Sequence, residues 1–567
     1  MIGVRDPLPG VTYPPVERTR RYVEAGALPT TTLVEELCAS FERNAARIAL
    51  WSVEGAISYA EFDARTDRFA AALLRLGLAP LDRVLLQAIN SPELALAIVG
   101  CLKAGLIPVC TLAAHREHEI GFLGRHAAAR AHIVQGDDPK FDLPGFALAM
   151  RERLPDMRHL ISLRGAPRPG VLRFEDLLDA EDAAAARARV RAVPRDPFQV
   201  AIFQLSGGTT SVPKIIPRMQ NDYLLNAQLT ARWLGYRNDD VMFIPMQIAH
   251  NAAMICFLLP TLLTGAEFAM PLDMTPAGWG RVFRERRPTW VGLIRALTPR
   301  LNAMLDEGHA TLERVRAFWA PDAARLLRQR HGIRAYAMFG MSEGMNMYVA
   351  ADDPLEVQDT MVGRPLSPYD EVRLVEPGTD REVAEGEPGE LTCRGPYTLS
   401  GYYDAAERNR EAFTADGYYR TGDLMVRRVI DGKSYYAFAG RTKDTVNRGM
   451  EKINCEEVEG LVGAHSAIAD CAIVGMPDPV LGERACAFVV PAAGHGVPTV
   501  AELGEFLRSQ GVARFKWPER IEVVRELALT KVGKLDKAAM RRQITEILQR
   551  EAATGDGTAP PAPGGTP

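Results

Sequence analysis

The stretch LSGGTTSVPK, residues 205–214, decides how this 567-residue chain is read. It follows an apolar, strand-like run, VAIFQL, and precedes a helix-like segment from Asp222. Gly207 and Gly208 allow the backbone to approach a ligand closely. Ser206, Thr209 and Thr210 supply hydroxyls, and Lys214 supplies a positive charge. Backbone N–H groups in such a turn converge on an anion. The spacing is not that of the G-x-x-x-x-G-K-[ST] loop. Taken alone, the segment also reads as a surface turn with no ligand.

Working outward, segments of helical period alternate with short apolar runs. Residues 62–76 and 92–104 read as helices, and 83–88 and 106–110 as strands. The rhythm continues through candidate strands 241–245, 267–270, 290–294 and 335–339. Such βαβ alternation predicts an α/β fold with parallel sheets flanked by helices. From about Tyr369 short strands and Gly/Pro turns dominate, as in a β-rich subdomain of antiparallel hairpins. After Lys443 a smaller α+β unit begins, with strands near 472–474 and 485–490 and an amphipathic helix over 537–550. The expected division is 1–442, 443–550 as a lid, and a Pro/Gly-rich disordered tail, 551–567.

The bulk properties exclude several classes. A net charge of −4 gives no basic face for nucleic acid. The eight cysteines are scattered with no C-x-x-C pair, so a disulfide scaffold or zinc site is not expected and a reducing cytoplasm fits. No signal peptide or membrane-spanning run is read.

The loop keeps informative company. IPMQIAHN (244–251), FGMSEG (339–344), RGPYTLSGYY (394–403), DGYYRTGDL (416–424), GRTKDTVNRGMEK (440–452) and VGKLDK (532–537) follow it in order. With LSGGTTSVPK they resemble the adenylate-forming superfamily of acyl- and aryl-CoA ligases, adenylation domains and luciferases. The resemblance runs from about Thr32 to Leu548 and is strongest to stand-alone 2,3-dihydroxybenzoate–AMP and salicylate–AMP ligases.

It implies ATP and Mg²⁺ as cofactors, with Ser206, Gly207, Gly208, Thr209, Thr210 and Lys214 on the phosphates. Phe339, Gly340, Met341 and Ser342 would border the nucleotide, and Glu343 would hold the metal. Asp423 would take the ribose hydroxyls and Arg441 a ribose or phosphate oxygen. Asp423 also reads as a turn cap after Gly422, and Asp431–Gly432 as the turn of the hairpin between Asp423 and Arg441. Lys534 matches the catalytic lysine of a mobile lid, and Lys443 its hinge. Thr209 and His250 complete the catalytic set.

In the acid pocket the resemblance places His250, Asn251, Ala252, Cys256 and Asn346. An amide can donate and accept, so Asn251 suits an ortho hydroxyl or amine; it also reads as a helix N-cap. Ala252 and Cys256, four apart, share a helical face. A thiol at 256 tilts the reading toward salicylate, whereas a polar Asn346 suggests another polar ring substituent, as in 3-hydroxyanthranilate. Three features depart from the family: Ser211 and Met450 stand where glycines are usual, and the adenine-lining G-G-[AE] segment is not evident.

The expected reaction is adenylation of an ortho-substituted aromatic acid, then transfer to a phosphopantetheine thiol. The acceptor is a separate aryl carrier protein or CoA, and a homodimer is possible. An aryl-CoA ligase and a binding-only degenerate homologue are the alternatives.

Overall fold

The computed structural model describes residues 2–206, 213–448, 451–479, 481–510, 512, 514–530 and 534–554. Its contacts divide the chain into two compact units. The first comprises Met1–Arg373, Thr392–Thr421 and Arg428–Ala437; the second comprises Leu374–Leu391, Gly422–Arg427 and Phe438–Pro567.

Two seven-stranded sheets dominate the first unit. One runs in the order Leu172–Arg173, His159–Leu163, Ala131–Gln135, Arg83–Gln87, Ile107–Cys110, Val200–Leu205 and Ile215–Met219. The other runs Arg334–Tyr336, Ala317–Trp319, Trp290–Gly292, Val241–Phe243, Glu267–Ala269, Ile48–Ser52 and Gly55–Ser58. Each sheet is parallel apart from an antiparallel edge strand at one end. Strands such as Ala131–Gln135 are buried throughout, because helices cover both faces of a parallel sheet. Ser58 and Ser91 cap the helices Tyr59–Arg75 and Pro92–Lys103 by accepting from Glu61 N and Leu94 N. The expected α/β class is borne out.

Three local expectations are corrected. The predicted strand 335–339 is two strands that break at Ala337 and join different sheets. The loop after VAIFQL does not lead into a helix: the chain returns as an antiparallel strand first, so the loop joins β1 (Val200–Leu205) to β2 (Ile215–Met219). The helix expected from Asp222 follows that strand as α1 (Gln220–Leu234). Last, the C-terminal helix runs over Lys537–Thr554, into the predicted tail, where Glu551 pairs with Arg520 at 2.6 Å.

In the second unit Gly482–Pro491 pairs antiparallel with Ile468–Asp478 and parallel with Arg520–Val523. Side chains alternate faces with period two. Cys471 and Ile473 pack with Val458, Leu503 and Leu507, while Ala472 and Val474 pack with Met540 and Ile544 of the last helix.

Candidate active site

Residues 207–212, which include Gly207, Gly208, Thr209, Thr210 and Ser211, lie outside the described residues, but the neck of their loop does not. Ser206 N donates to Lys214 O at 3.0 Å, and Lys214 N donates to Ser206 Oγ at 3.1 Å. The strand that leaves the neck carries Arg218, whose guanidinium is fully buried. It pairs with Asp222 on the first turn of α1 at 3.0 Å and donates to Ser342 O at 3.0 Å and Tyr397 O at 3.2 Å. Burial pushes the Asp222 carboxyl up from its ordinary value, and Arg218 works against that shift. One buried cation thereby fixes the phosphate hairpin to the segment that bears Glu343.

That segment lies between β3 (Met338–Gly340) and β4 (Asn346–Tyr348), which pair antiparallel. Gly344 takes φ 134°, and a β-carbon there would meet Tyr397 O at 2.0 Å, so only glycine lets the turn close. Glu343 is 8% exposed. Tyr402 donates its hydroxyl to Glu343 Oε1 at 2.7 Å, and the Tyr402 and Tyr419 oxygens are 2.8 Å apart. The Lys214 ammonium lies 5.0 Å from the Tyr402 ring centroid. A lysine from the loop and a carboxylate from FGMSEG thus meet around one tyrosine. No group of three or more His, Cys, Asp or Glu suited to a metal occurs among the described residues. A cation at Glu343 would take a carboxylate oxygen, with water and phosphate oxygens able to complete its shell. That is the donor set Mg²⁺ takes in nucleotide sites.

The residues predicted for an acid pocket all lie in the first unit. His250, not Asn251, caps the next helix: its Nδ1 accepts from Ala252 N at 3.2 Å, and Asn251 is the first residue of α2 (Asn251–Ala253). The capping role read for Asn251 is therefore corrected. Asn251 instead points inward, 6% exposed, and its Oδ1 accepts from the Tyr223 hydroxyl at 2.8 Å. Gln204 Nε2 donates to the same Tyr223 oxygen at 3.1 Å. The Tyr223 proton must then go to Asn251, which orients the amide with its NH₂ group away from Tyr223.

Met254–Leu258 is a π-helical segment, so the α spacing used to place Ala252 and Cys256 on one face does not apply across it. Cys256, within that segment, is 1% exposed, and Ala252 is half-buried. Cys256 Sγ lies 3.2 Å from the Tyr348 hydroxyl, which accepts from Trp319 Nε1 at 3.1 Å. Burial pushes the Cys256 thiol up to about 12, so it stays a neutral thiol at physiological pH. Asn346 faces Gly340 across the β3–β4 pair and is 2% exposed.

Asp423, Arg441, Lys443 and Lys534 fall in the second unit, whereas the hairpin tip Arg428–Ala437 falls in the first. β5 (Tyr419–Ile430) and β6 (Lys433–Arg441) are joined at Asp431–Gly432, with φ 51° and 74°, as the sequence predicts for a tight hairpin turn. Asp423 is not a turn cap but lies inside β5, 5% exposed, and accepts from Arg441 Nε at 2.9 Å. Lys443 falls in the 3₁₀ turn Thr442–Asp444 that follows. Lys534 is exposed. Thr530 N donates to Lys534 O at 2.6 Å, and Lys534 N donates to Thr530 Oγ1 at 3.1 Å. Met450 lies outside the described residues.

Sequence reasoning passed over Tyr402, although it quoted the RGPYTLSGYY motif that contains it. It also passed over Arg218, Tyr223, Tyr348 and Trp319. Apart from Asp222, four residues from Arg218, their partners are 19 to 179 residues away, and only the fold reveals them. Buried polar side chains must find partners, but spacing does not say which.

The AMP-binding enzyme family matches residues 37–403, and the AMP-binding enzyme C-terminal domain matches 457–534. The chain is 37% identical to a salicyl-AMP ligase / salicyl-S-ArCP synthetase of Mycobacterium tuberculosis, covering 94% of each chain. It is 35% identical to the 2,3-dihydroxybenzoate-AMP ligase of Bacillus subtilis, covering 95% of this chain and 99% of that one. Among solved structures it is similar to apo MbtA of Mycobacterium smegmatis, with TM-score 0.70 and 33% identity over 94% of this chain and 99% of that one. With family matches over most of its length and relatives more than 30% identical over nearly the whole chain, the chain belongs to the adenylate-forming AMP-binding enzymes.

Proposed function

We propose that this protein joins an ortho-hydroxy aromatic acid to AMP with release of pyrophosphate, then transfers the acyl group to the phosphopantetheine thiol of a separate aryl carrier protein. The reading rests above all on Asn251. Its carbonyl is occupied by Tyr223, which leaves the NH₂ as a donor. A donor suits the oxygen of a carboxylate or a phenol better than the proton-bearing nitrogen of an aniline. The ortho substituent is thus a hydroxyl rather than an amine.

The reaction brings two anions together, so these residues act by positioning and by neutralising charge. The loop 206–214, with Thr209, receives the phosphates, and Lys214 adds a positive charge beside Tyr402. Tyr402 fixes one oxygen of Glu343, and this carboxylate would hold Mg²⁺, which when bound would supply charge neutralisation on the phosphates. Phe339, Gly340, Met341 and Ser342 border the nucleotide. Asp423, held by Arg441, accepts from the ribose hydroxyls, and an ionised carboxylate is suited to a vicinal diol. His250 fixes the helix start from which Asn251 reaches the acid. Lys534 approaches the carboxylate and the α-phosphate on a lid, residues 443–550, that swings about Lys443.

Acid-dependent exchange of pyrophosphate into ATP tests the first half-reaction. Salicylate and its hydroxylated relatives should support exchange, while anthranilate should be at least about tenfold poorer. Absence of exchange with every benzoate tested would overturn the enzyme reading in favour of a binding-only homologue. For the second half-reaction, a purified aryl carrier protein should be acylated faster than CoA. Faster acylation of CoA would make the protein an aryl-CoA ligase.

A further inference from the structure

The segment Arg5–Tyr13 precedes every motif of the site in sequence, yet it is tied to two of them. Tyr13 is its anchor. The Tyr13 hydroxyl accepts from Leu8 N at 3.0 Å and donates to Gln199 Oε1 at 2.6 Å. Gln199 Nε2 donates in turn to Asp6 O at 2.7 Å. Burial pushes the Tyr13 phenol up to about 12, so it keeps its proton at physiological pH. Gln199 directly precedes β1, the strand that enters the phosphate loop. The segment is thereby fixed to the base of that strand.

From this anchor it reaches the stretch 400–404, which carries Tyr402. Gly10 O accepts from Asp404 N at 2.8 Å, and just beyond the segment Arg18 Nη2 donates to Ser400 Oγ at 3.0 Å. Gly10 takes φ 84°, and a β-carbon there would meet the buried Tyr403 ring at 2.9 Å, so glycine permits this approach. Leu8 packs in one cluster with Tyr403, Phe203 of β1 and Ile215 of β2. Tyr403 N donates to Ile215 O at 3.0 Å. On the other side Asn409 Oδ1 accepts from Tyr402 N at 2.8 Å. Tyr402 is thus held through its neighbours while its hydroxyl reaches Glu343 Oε1 at 2.7 Å.

Resting on the adenylation reading above, we infer that the segment Arg5–Tyr13 is a positioning element of the active site: through Tyr13 and Gly10 it sets Tyr402, and through Tyr402 the Glu343 carboxylate that would hold Mg²⁺. Hydrogen bonds weaken steeply as their distance and angle depart from the optimum. A small shift of 400–404 therefore loosens Glu343 without any residue of the segment touching the nucleotide.

The experiment measures ATP binding to the full chain by calorimetry, with and without Mg²⁺ and with no aromatic acid present. Mg²⁺ should strengthen binding to the wild type. Gly10→Val should cut that gain by about tenfold, the scale of one hydrogen bond, and leave binding without Mg²⁺ little changed. Tyr402→Phe should lose as much, and the double variant no more than either alone, because both act through one contact. A segment that only stabilised the fold would lower the unfolding midpoint and leave the Mg²⁺ gain as it is. If Gly10→Val fails to fold, Tyr13→Phe, which keeps the ring, decides in the same cycle. No Mg²⁺ gain in the wild type, an undiminished gain in the variant, equal loss with and without Mg²⁺, or additive effects would overturn the inference and leave the adenylation reading intact. A wild type that does not bind ATP at all would overturn both.

Discussion

The wall of the proposed acid pocket and the segment that carries Lys534 are built on opposite terms. In the wall, Asn251, Tyr223, Gln204, Cys256, Tyr348 and Trp319 are tied to one another in the interior of the first unit. Lys534, by contrast, is exposed on the second unit, where its backbone N and O bond to Thr530. A recognition surface gains from being fixed before the ligand arrives, because ordering side chains on binding costs free energy. A charge that serves one step gains from being brought in for that step. The difference teaches that damage to the wall should register first as lost stability, and damage at Lys534 as lost rate.

The largest test of this contrast is Arg218→Met. It removes the buried partner of Asp222 and the donors to Ser342 and Tyr397. Breaking a buried pair from one side costs about 3–5 kcal/mol. Urea unfolding should show that loss, and a variant as stable as wild type would break the contrast. Next is Lys534→Ala. Adenylation should fall by about 10²–10³-fold, the scale for loss of one donor to a developing charge. The unfolding midpoint should not move, and thiolation from supplied aryl-AMP should change little. Equal loss in both half-reactions would remove Lys534 from the role given to it.

A pH test reaches the first unit. Asp370 is buried, with Tyr397 donating its hydroxyl at 2.5 Å and Ser367 its N–H at 3.1 Å. Burial raises its carboxyl to about 7. The unfolded value is about 3.9, so between about pH 4 and pH 7 the native state holds a proton that the unfolded state has lost. Stability from this group is therefore full below the unfolded value and is lost as pH rises through about 7. Asp370→Asn should gain on wild type over that window, on the order of 2 kcal/mol. Parallel unfolding curves at both ends of the window would show that Asp370 does not titrate so.

The alternation of strands and helices was legible because a parallel sheet buries both faces, so runs such as AHIVQ are apolar throughout. The Asp431–Gly432 turn was legible because few residues tolerate positive φ in succession. Glu343 and Asn251 could be singled out from their motifs, but their orientation could not. That depends on Tyr402 and Tyr223, which lie 59 and 28 residues away. The helix start was misassigned by one residue, since His and Asn can both cap and the choice follows how the chain enters the pocket. The π segment was hidden for a related reason: its cause is a missing donor, and its remedy is a distant hydroxyl.

That donor and hydroxyl give the smallest test. Pro260 has no N–H, so the Cys256 carbonyl cannot receive the bond that residue 260 would give it in a regular helix. Leu259 N bonds to Met254 O instead, widening the turn. The Tyr236 hydroxyl donates to the Cys256 carbonyl at 3.0 Å and closes the gap. Tyr236→Phe keeps the ring and removes that donor, leaving a buried carbonyl unpaired at about 1–3 kcal/mol. The lost stability should come with a small rise in KM for the acid and little change in kcat, because the wall shifts while the chemistry does not. A fall in kcat at constant KM would mean that the wall takes part in the reaction itself, and the division of labour between wall and lysine would fail there.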